Sequence, residues 1–291
     1  MSVESAPDVR VASPLGERPT QHYGTIVVVG GGCYGSYYVQ QLERASAANA
    51  LRYERLLVVD RNPDCRVAIR NAKKDVGGKV GSPPQLQYRG PANTRQHRTP
   101  APIIVLSDWS AFFDSYFAES ARTREASASD AIVPSPLMPH LMYEWLVRSA
   151  RARWPGRSIA ARPLDTAFPV PWQRADPSGT HYVSFAEWMC PVNCIEPRLC
   201  PETRGTRTWS MPSAVSAYLE SERQNGRPLA GQAIFHCSHR AYGVGMFDTA
   251  DVLAADALID SVAALSPANV LVGTVSHCHG ALTLLSIGER A

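Results

Sequence analysis

One stretch near the start of the chain, Thr25–Gly35, limits the possible folds more than any other. Its first part, Ile26–Val29, is a run of β-branched residues, which is typical of a strand buried on both faces of a parallel sheet. Gly30, Gly32 and Gly35 follow with the spacing G-x-G-x-x-G. In this pattern the first glycine permits a tight turn, the second lets the backbone approach a pyrophosphate, and the third allows a helix to pack closely on the strand. The stretch therefore predicts a strand that ends in a phosphate-binding turn.

The segments after the glycines complete a β-α-β pattern. Residues 36–48 have a composition compatible with a helix, whose N-terminus would offer free N–H groups and a partial positive charge to phosphates. The next strand, Arg55–Asp60, ends in an acid about 25 residues beyond Gly35, close to where dinucleotide folds place the carboxylate that binds the ribose hydroxyls. A 2′-phosphate would meet like charge at Asp60, which favours NAD over NADP, although the neighbouring Arg61 leaves NADP open.

Residues 25–61 resemble the Rossmann dinucleotide-binding superfamily, and they are similar to the nicotinamide-binding domains of dehydrogenases and of potassium-uptake regulatory proteins. The resemblance implies a Rossmann-like domain with NAD as its cofactor, and with NADP or FAD as alternatives. It also implies which residues hold that cofactor. They are Gly30, Gly31, Gly32, Cys33, Tyr34, Gly35, Asp60 and Arg61.

Two more strand–helix pairs follow in the first half of the chain. The apolar pattern predicts strands at Ile103–Leu106 and Ala131–Val133. Asp108 is placed to cap a helix at Trp109–Ser120, and a second helix is expected to end near Arg153. This alternation favours an α/β fold with a doubly wound, mostly parallel, Rossmann-like sheet, followed by a C-terminal α/β region that carries a cluster of Cys and His.

Shifts in composition divide the chain into three parts. Residues 1–21 are polar, rich in Ser and Pro, and without an apolar segment, so they predict a disordered leader rather than a signal peptide. Residues 22–160 are expected to form the dinucleotide-binding domain. A segment rich in Pro and Gly near residues 155–175 leads into residues 161–291, which are expected to form a metal-binding α/β domain.

Charge and cysteine content restrict the partners and the compartment. The 291 residues carry a net charge of +3, and the basic residues are dispersed apart from residues 89–98, which argues against nucleic-acid binding. No apolar run approaches the roughly 20 residues that span a bilayer. Seven cysteines without a secretion signal indicate thiols in a reducing compartment, so we expect a cytoplasmic protein. A homodimer is one assembly that the sequence leaves open.

A proline-stiffened loop in the second half carries three of the cysteines. Cys190, Cys194 and Cys200 have the spacing C-x3-C-x5-C, and Cys190 and Cys200 are each followed by Pro. Prolines exclude a regular helix here, and thiolates are preferred ligands of zinc and of iron–sulfur clusters. The spacing departs from the ferredoxin pattern, and the C-x2-C of common zinc ribbons is absent, so zinc and iron–sulfur both stay open.

A fourth ligand has to come from elsewhere in the chain. Apolar runs at Ala233–Phe235 and Val270–Val275 flank a helical pattern at Thr249–Leu265, which predicts a βαβ unit with parallel strands. Parallel strands end at the same edge of a sheet, so the Cys and His residues that follow them are expected to lie side by side. Cys278 is the favoured fourth ligand. The alternates are Cys237, His236 and His239.

Three histidines are candidates for acid–base catalysis. His140 follows the strand Ala131–Val133 at the start of a helix, and His277 and His279 follow the strand Val270–Val275. In open α/β sheets, ligands bind beyond the carboxyl ends of the strands, and imidazole titrates near neutral pH.

The sequence supports three functions. The first is an NAD(P)-binding oxidoreductase with a Cys-ligated zinc or iron–sulfur centre beside the nucleotide, acting on a small-molecule substrate or a redox partner. The second is a non-catalytic nucleotide or redox sensor that regulates a partner. The third is an adenylating enzyme of the ubiquitin-activating type, which also combines a glycine turn and a ribose-binding acid with a structural Cys site.

Overall fold

The computed structural model describes residues 20–77, 99–188, 190, 194–265 and 267–290. Most of the expected leader and the basic segment at residues 89–98 lie outside these residues. Within them the chain forms two mixed sheets and six helices.

The first sheet has a parallel centre and an antiparallel edge. Strands β1 to β4 are parallel and lie in the order β3-β2-β1-β4, and β10 and β9 continue the sheet antiparallel beyond β4. Strands β9 and β10 come from beyond residue 161, so this sheet contains segments from both sides of the expected domain boundary. The strands are β1 Gln21–Val29, β2 Leu51–Asp60, β3 Ile103–Leu106, β4 Ala131–Val133, β9 Ser238–Ala241 and β10 Val244–Asp248.

The second sheet is built around one long C-terminal strand, β12. Strand β12 pairs antiparallel with β11 on one side, and with β7 and β5 on the other, while β11 pairs parallel with β8. The order is β6-β7-β12-β11-β8. The strands are β5 Arg157–Arg162, β6 Trp172–Ala175, β7 His181–Ser184, β8 Gly231–His236, β11 Ala268–Val275 and β12 His279–Arg290.

The helices fill the space between the sheets and cover their outer faces. Apolar residues of α3, α4 and α6 share one core with both sheets, α1 packs with the other face of the first sheet, and α5 packs with the other face of the second. The result is a layered α-β-α-β-α arrangement in which the middle helices belong to both sheets. The helices are α1 Cys33–Ala47, α2 Arg66–Gly77, α3 Trp109–Arg122, α4 Leu141–Arg153, α5 Met211–Gln224 and α6 Thr249–Leu265.

Local sequence explains several of these elements. The β-branched residues of Ile26–Val29 are buried in the centre of the first sheet. The Asp108 side chain caps α3 by accepting a hydrogen bond from the backbone N–H of Ser110 at 2.9 Å, as the sequence predicts. The expected parallel pairing of β8 with β11 is confirmed, although the hairpin of β9 and β10 intervenes before α6.

These observations establish a mixed α/β protein. The finer expectation of a doubly wound, mostly parallel sheet is not confirmed, because antiparallel strands contribute to both sheets. Among the helices that the structure describes, none has both the length and the apolar character needed to cross a bilayer.

Candidate functional site

The glycine turn joins β1 to α1 and is sterically restricted. Gly30 has φ +86°, a conformation that side chains disfavour. A Cβ added at Gly35 would lie 1.7 Å from the carbonyl oxygen of Gly30, whereas a Cβ at Gly32 would meet no atom within 4 Å. Two glycines are therefore required by the turn itself, and Gly32 leaves open space in front of the helix.

Free backbone donors surround this open space. The backbone N–H of Ser36 bonds to the carbonyl oxygen of Gly32 at 2.9 Å and is the first amide of α1 with an intrahelical acceptor. The amides of Cys33, Tyr34 and Gly35 precede it, no side chain caps the helix, and no acid lies in its first turn. Such a helix end attracts anions.

Asp60 connects the end of β2 to the glycine turn. Its Oδ2 accepts a hydrogen bond from the backbone N–H of Gly31 at 2.7 Å, and its Oδ1 accepts one from Asn62 at 2.8 Å. A carboxylate has further lone pairs on each oxygen, so Asp60 can accept more donors. Arg61 is exposed and lies 3.8 Å from the carboxylate of Asp108.

A cavity of about 350 Å³ lies near the same edge of the first sheet, where it meets the second sheet. Five segments form its walls: α1 through Tyr38, the segment after β4, β7 through Tyr182, residues 237–245 after β8, and residues 274–281 where β11 ends and β12 begins. The lining residues are Tyr38, Pro134, Ser135, Pro136, Pro139, Tyr182, Cys237, His239, Gly243, Gly245, Thr274, Val275, Ser276, His279, Gly280 and Ala281.

Glu196, from the cysteine loop, fixes one wall of this cavity. Its carboxylate accepts hydrogen bonds from the Ser276 hydroxyl at 2.7 Å and from the backbone N–H groups of His277 and Cys278 at 3.1 Å. The Nδ1 of His239 lies 3.3 Å from the same carboxylate. Burial raises the pKa of Glu196, but hydrogen bonds from His239 and Ser276 outweigh burial and bring it down to about 2. Glu196 is therefore ionised at neutral pH.

The side chain of His279, on β12, forms a hydrogen bond with Ser184, its partner residue on the neighbouring strand β7. The Ser184 hydroxyl donates its single proton to the carbonyl oxygen of Ala186 at 2.7 Å, so it must accept from Nδ1 of His279, 2.9 Å away. Burial lowers the pKa of His279. The imidazole is therefore neutral with its proton on Nδ1, and Nε2 carries a lone pair.

Two other cavity residues are held in their neutral forms. Burial raises the pKa of Cys237 to about 12, and burial also raises the pKa of Tyr38 to about 12. Cys237 is thus a thiol rather than a thiolate in this environment, which disfavours it as a nucleophile.

The other histidine candidates lie away from the cavity lining. His140 is buried, its Nε2 lies 2.8 Å from the Thr283 hydroxyl, and burial lowers its pKa to about 4. The side chains of His236 and His277 are not among those that line the cavity. Of the three histidines proposed for catalysis, the structure places only His279 in the cavity wall, whereas His239, an alternate metal ligand, lines it too.

The predicted metal ligands are brought into one region. The backbone N–H of Phe185, at the start of the segment leading to Cys190, bonds to the carbonyl oxygen of Cys278 at 2.9 Å. Burial raises the pKa of Cys190, and the nearby thiols of Cys194 and Cys200 raise it further. Nevertheless, in the part of the chain that the structure describes, no group of three or more Cys, His, Asp or Glu residues is arranged to hold a metal ion.

Polar N–H groups act on two of these sulfurs. The Trp209 indole N–H donates to the Cys278 sulfur at 3.2 Å. The backbone N–H of Thr203 lowers the pKa of Cys200. The chemistry of the donors fits a thiophilic metal, but their arrangement in the described residues does not.

Sequence reasoning missed Glu196 and Ser184. Glu196 lies between two cysteines in a proline-rich loop, and Ser184 is an ordinary strand residue. One signal could have identified Glu196: it lies in the cysteine loop, which was already expected to lie close to the end of β11.

The fold and site thus define a two-sheet α/β protein with a glycine turn beside a cavity walled by histidines. The family model AF_1314_C, described as "Uncharacterized protein, C-terminal domain", matches residues 142–288, and the chain belongs to this family. The match runs from α4 into β12, so it includes Glu196, His239 and His279 and excludes the glycine turn. No curated protein matches the chain, and no solved structure matches it.

Proposed function

We propose that this protein is a dinucleotide-binding oxidoreductase that holds NAD at the glycine turn and its substrate in the adjacent cavity. The observation that carries the proposal is the hydrogen bond between Asp60 and the backbone N–H of Gly31. It places a carboxylate from the end of β2 beside the uncapped N-terminus of α1, so groups suited to a ribose and to a pyrophosphate lie next to each other.

The strand order supports this proposal. The parallel strands follow the order β3-β2-β1-β4, which matches the first four positions of the Rossmann order 3-2-1-4-5-6, and the sequence resemblance at residues 25–61 covers β1, α1 and β2. The antiparallel strands β10 and β9 occupy the place where that fold continues with parallel strands.

The position of the cavity also supports an oxidoreductase. Parallel strands β1 and β4 end at the same edge, since Val28 pairs with Val133. Tyr38, one turn of α1 beyond Gly35, lines the cavity together with residues that follow β4. A dinucleotide whose pyrophosphate lay at the glycine turn would extend along this edge, with its reactive ring near the cavity.

The nucleotide that the protein binds, and whether it converts a substrate, distinguish the oxidoreductase from the adenylating enzyme and from the sensor. Asp60 favours NAD over NADP through charge. An adenylating enzyme would instead bind ATP, and a sensor would bind the dinucleotide without turning over a substrate. The proposed hydride transfer needs none of the thiols outside the cavity, so a metal at Cys190, Cys194, Cys200 and Cys278 remains a separate hypothesis.

The test is calorimetric titration of the full chain with NAD+, NADP+, FAD and ATP. We expect binding of NAD+ in preference to the others. Gly32→Asp should abolish binding because its carboxylate would occupy the open space and repel the phosphates. Gly156→Asp is the matched control, because Gly156 lies outside the turn and a Cβ there also meets no atom within 4 Å. It should bind NAD+ like the parent, and both variants should retain the circular dichroism spectrum of the parent. Equal NAD+ binding by Gly32→Asp and the parent would refute this use of the turn, and tight binding of ATP alone would favour the adenylating enzyme.

A further inference from the structure

The cavity beside the glycine turn is lined without ionic groups. Among the described residues that line it, none is Asp, Glu, Lys or Arg. A charged group would therefore enter without a counter-ion, which is unfavourable. Its volume of about 350 Å³ is at the lower end for ligand pockets. The cavity thus suits a small uncharged group, and a longer ligand has to extend beyond it.

Two segments that line the cavity run side by side to its edge. Strand β10 pairs antiparallel with β4, so that the first residue of β4 lies opposite the last residue of β10. The chain that follows β4 therefore continues beside the hairpin of β9 and β10, towards the hairpin turn. The first segment lines the cavity with Pro136 and Pro139, and the hairpin lines it with Gly243.

Exposed apolar side chains gather at this edge of the cavity. Leu137, between the two lining prolines, is 73% exposed, and Tyr242, in the hairpin turn, is 42% exposed. Ile195, which is 55% exposed, packs so closely against Gly243 that it leaves no room for a Cβ there. Single exposed apolar residues are ordinary, but a group of them beside a cavity marks a surface that binds something. Leu137, Ile195 and Tyr242 are called the apolar rim below.

The hairpin turn fixes the position of Tyr242. Tyr242 and Gly243 have φ +47° and +78°, which tight two-residue hairpin turns favour. On the other side of the ring, the guanidinium of Arg44 on α1 lies 5.9 Å from the ring centre, which is a cation–π contact. The aromatic ring is therefore held at the rim by two elements.

The apolar rim is continuous with the cavity, which assigns both to the same ligand. Gly243 belongs to both, because it lines the cavity and contacts Ile195. A chain that leaves the uncharged cavity at this point passes directly onto apolar side chains. Each methylene group that is fully buried there is worth roughly fourfold in affinity.

We propose that the substrate is an uncharged primary alcohol with a linear hydrocarbon chain, whose hydroxyl end lies in the cavity and whose chain lies along the apolar rim. This assignment rests on the proposed dinucleotide function. The carbon that bears the hydroxyl gives a hydride to NAD+, the hydroxyl proton is released to water, and the C–O bond becomes the C=O bond of an aldehyde. The products are the aldehyde, NADH and one proton.

The test is calorimetric titration of the full chain, without NAD+, with linear alcohols from 1-butanol to 1-octanol. We expect the affinity to rise by roughly twofold to fourfold for each added methylene, because each one buries apolar surface on the rim. With NAD+ present, the absorbance of NADH should show the same rise in kcat/KM along the series.

Two rim variants and one control separate the rim from the rest of the surface. Leu137→Ser and Tyr242→Asn should each weaken binding of 1-octanol by about threefold or more and leave binding of 1-butanol unchanged. Asn accepts the left-handed backbone of position 242. Leu265→Ser is the control, because Leu265 is 82% exposed and precedes the start of β11, at the end of that strand away from the cavity. It should bind both alcohols like the parent.

Affinity that rises with chain length in the parent and in Leu265→Ser, but less in the two rim variants, supports the proposal. Affinity independent of chain length, or undiminished binding of 1-octanol by both rim variants, would overturn it. So would a protein that binds NAD+ but forms no NADH from any of these alcohols. If light scattering shows a dimer that Leu137→Ser makes monomeric, the rim is an interface between two copies and the proposal is wrong. Chain-length-dependent binding by a protein that does not bind NAD+ would support the chain-binding surface and refute the dinucleotide function.

Discussion

The carboxylate of Glu196 accepts a hydrogen bond from the backbone N–H of Cys278, 3.1 Å away, across 82 positions of the chain. This contact fastens the loop that carries three cysteines to the turn between β11 and β12. The same turn supplies Ser276 and His279 to the cavity wall, so a single buried carboxylate connects the cysteine region to the candidate substrate site. The geometry of the cavity therefore depends on Glu196 being both present and ionised.

Replacement of Glu196 is predicted to destabilise the protein at neutral pH. In Glu196→Gln the backbone donors of the turn would face a neutral amide, and we expect a loss of about 1–3 kcal/mol in the free energy of unfolding. Chemical denaturation of the parent and the variant at neutral pH measures this loss in the free energy of unfolding. Glu187→Gln removes an exposed carboxylate and should change stability by less than about 0.5 kcal/mol. Equal stability of the two variants would show that the carboxylate contributes nothing.

The contribution of Glu196 has a definite pH dependence. Its pKa falls from an ordinary 4.5 to about 2 on folding, so the unfolded chain binds the proton first on acidification. The stabilisation is complete above about pH 4.5 and is lost as the pH falls towards 2. The stability difference between the parent and Glu196→Gln should therefore narrow over that interval. If the stability difference between the parent and Glu196→Gln stayed constant from neutral pH down to about pH 2, the pKa of Glu196 would not be lowered by folding.

His140 is predicted to make the protein sensitive to mild acid. Burial lowers its pKa from 6.5 to about 4, so between these values the unfolded chain carries a proton that the folded chain excludes. Stability contributed by the neutral imidazole is present above pH 6.5 and declines towards pH 4, by up to about 3 kcal/mol. Other buried histidines add to this slope, so the decisive measurement is a comparison of unfolding in the parent and in His140→Gln across that range. The variant should have the smaller slope, and an unchanged slope would exclude His140 as a source of acid sensitivity.

Gly35 is predicted to tolerate no side chain. A Cβ there would lie 1.7 Å from the carbonyl oxygen of Gly30, so α1 would have to move away from β1. We expect Gly35→Ala to lower the free energy of unfolding by about 1–3 kcal/mol and to weaken binding of NAD+. Gly156→Ala is the control, because a Cβ at that position meets no atom within 4 Å. Thermal unfolding of both variants measures the loss of stability. A Gly35→Ala variant as stable as the parent would mean that the turn can move to accommodate a Cβ.

Local signals predicted the parts of the fold that depend on neighbouring residues. The strands at Ile103–Leu106 and Ala131–Val133 are confirmed, as are the cap at Asp108 and the parallel pairing of β8 with β11. Each follows from β-branched runs, from a capping side chain, or from a strand–helix–strand pattern that restricts the topology.

Features that depend on distant pairing were missed. Strand β12 follows directly on the turn at Ser276–Cys278, where the sequence analysis considered only ligands, and the hairpin of β9 and β10 was hidden by the His and Arg residues in it. The hairpin joins the first sheet through pairing of Phe247 with Ile132, more than 100 positions away in the chain, and no local pattern indicates that choice. The roles of Glu196 and Ser184 were missed for the same reason, because each contacts a turn that is distant in sequence.

The cysteine region provides the last prediction, which concerns metal content. Cys190, Cys194, Cys200 and Cys278 are thiols of one region, yet they do not form a metal-binding group among the described residues. If the hypothesis from their spacing is correct, protein purified without oxygen should contain about one zinc per chain, or about four irons per chain with a brown colour. Cys278→Ser should lose the metal, because it removes the sulfur of the favoured fourth ligand. Cys33→Ser changes an exposed cysteine at the start of α1 and should keep the metal. Elemental analysis of the three proteins measures the metal content. A Cys278→Ser variant with undiminished metal would show that Cys278 is not a ligand. A parent protein without metal would show that these thiols are packing residues of the region that Glu196 holds in place.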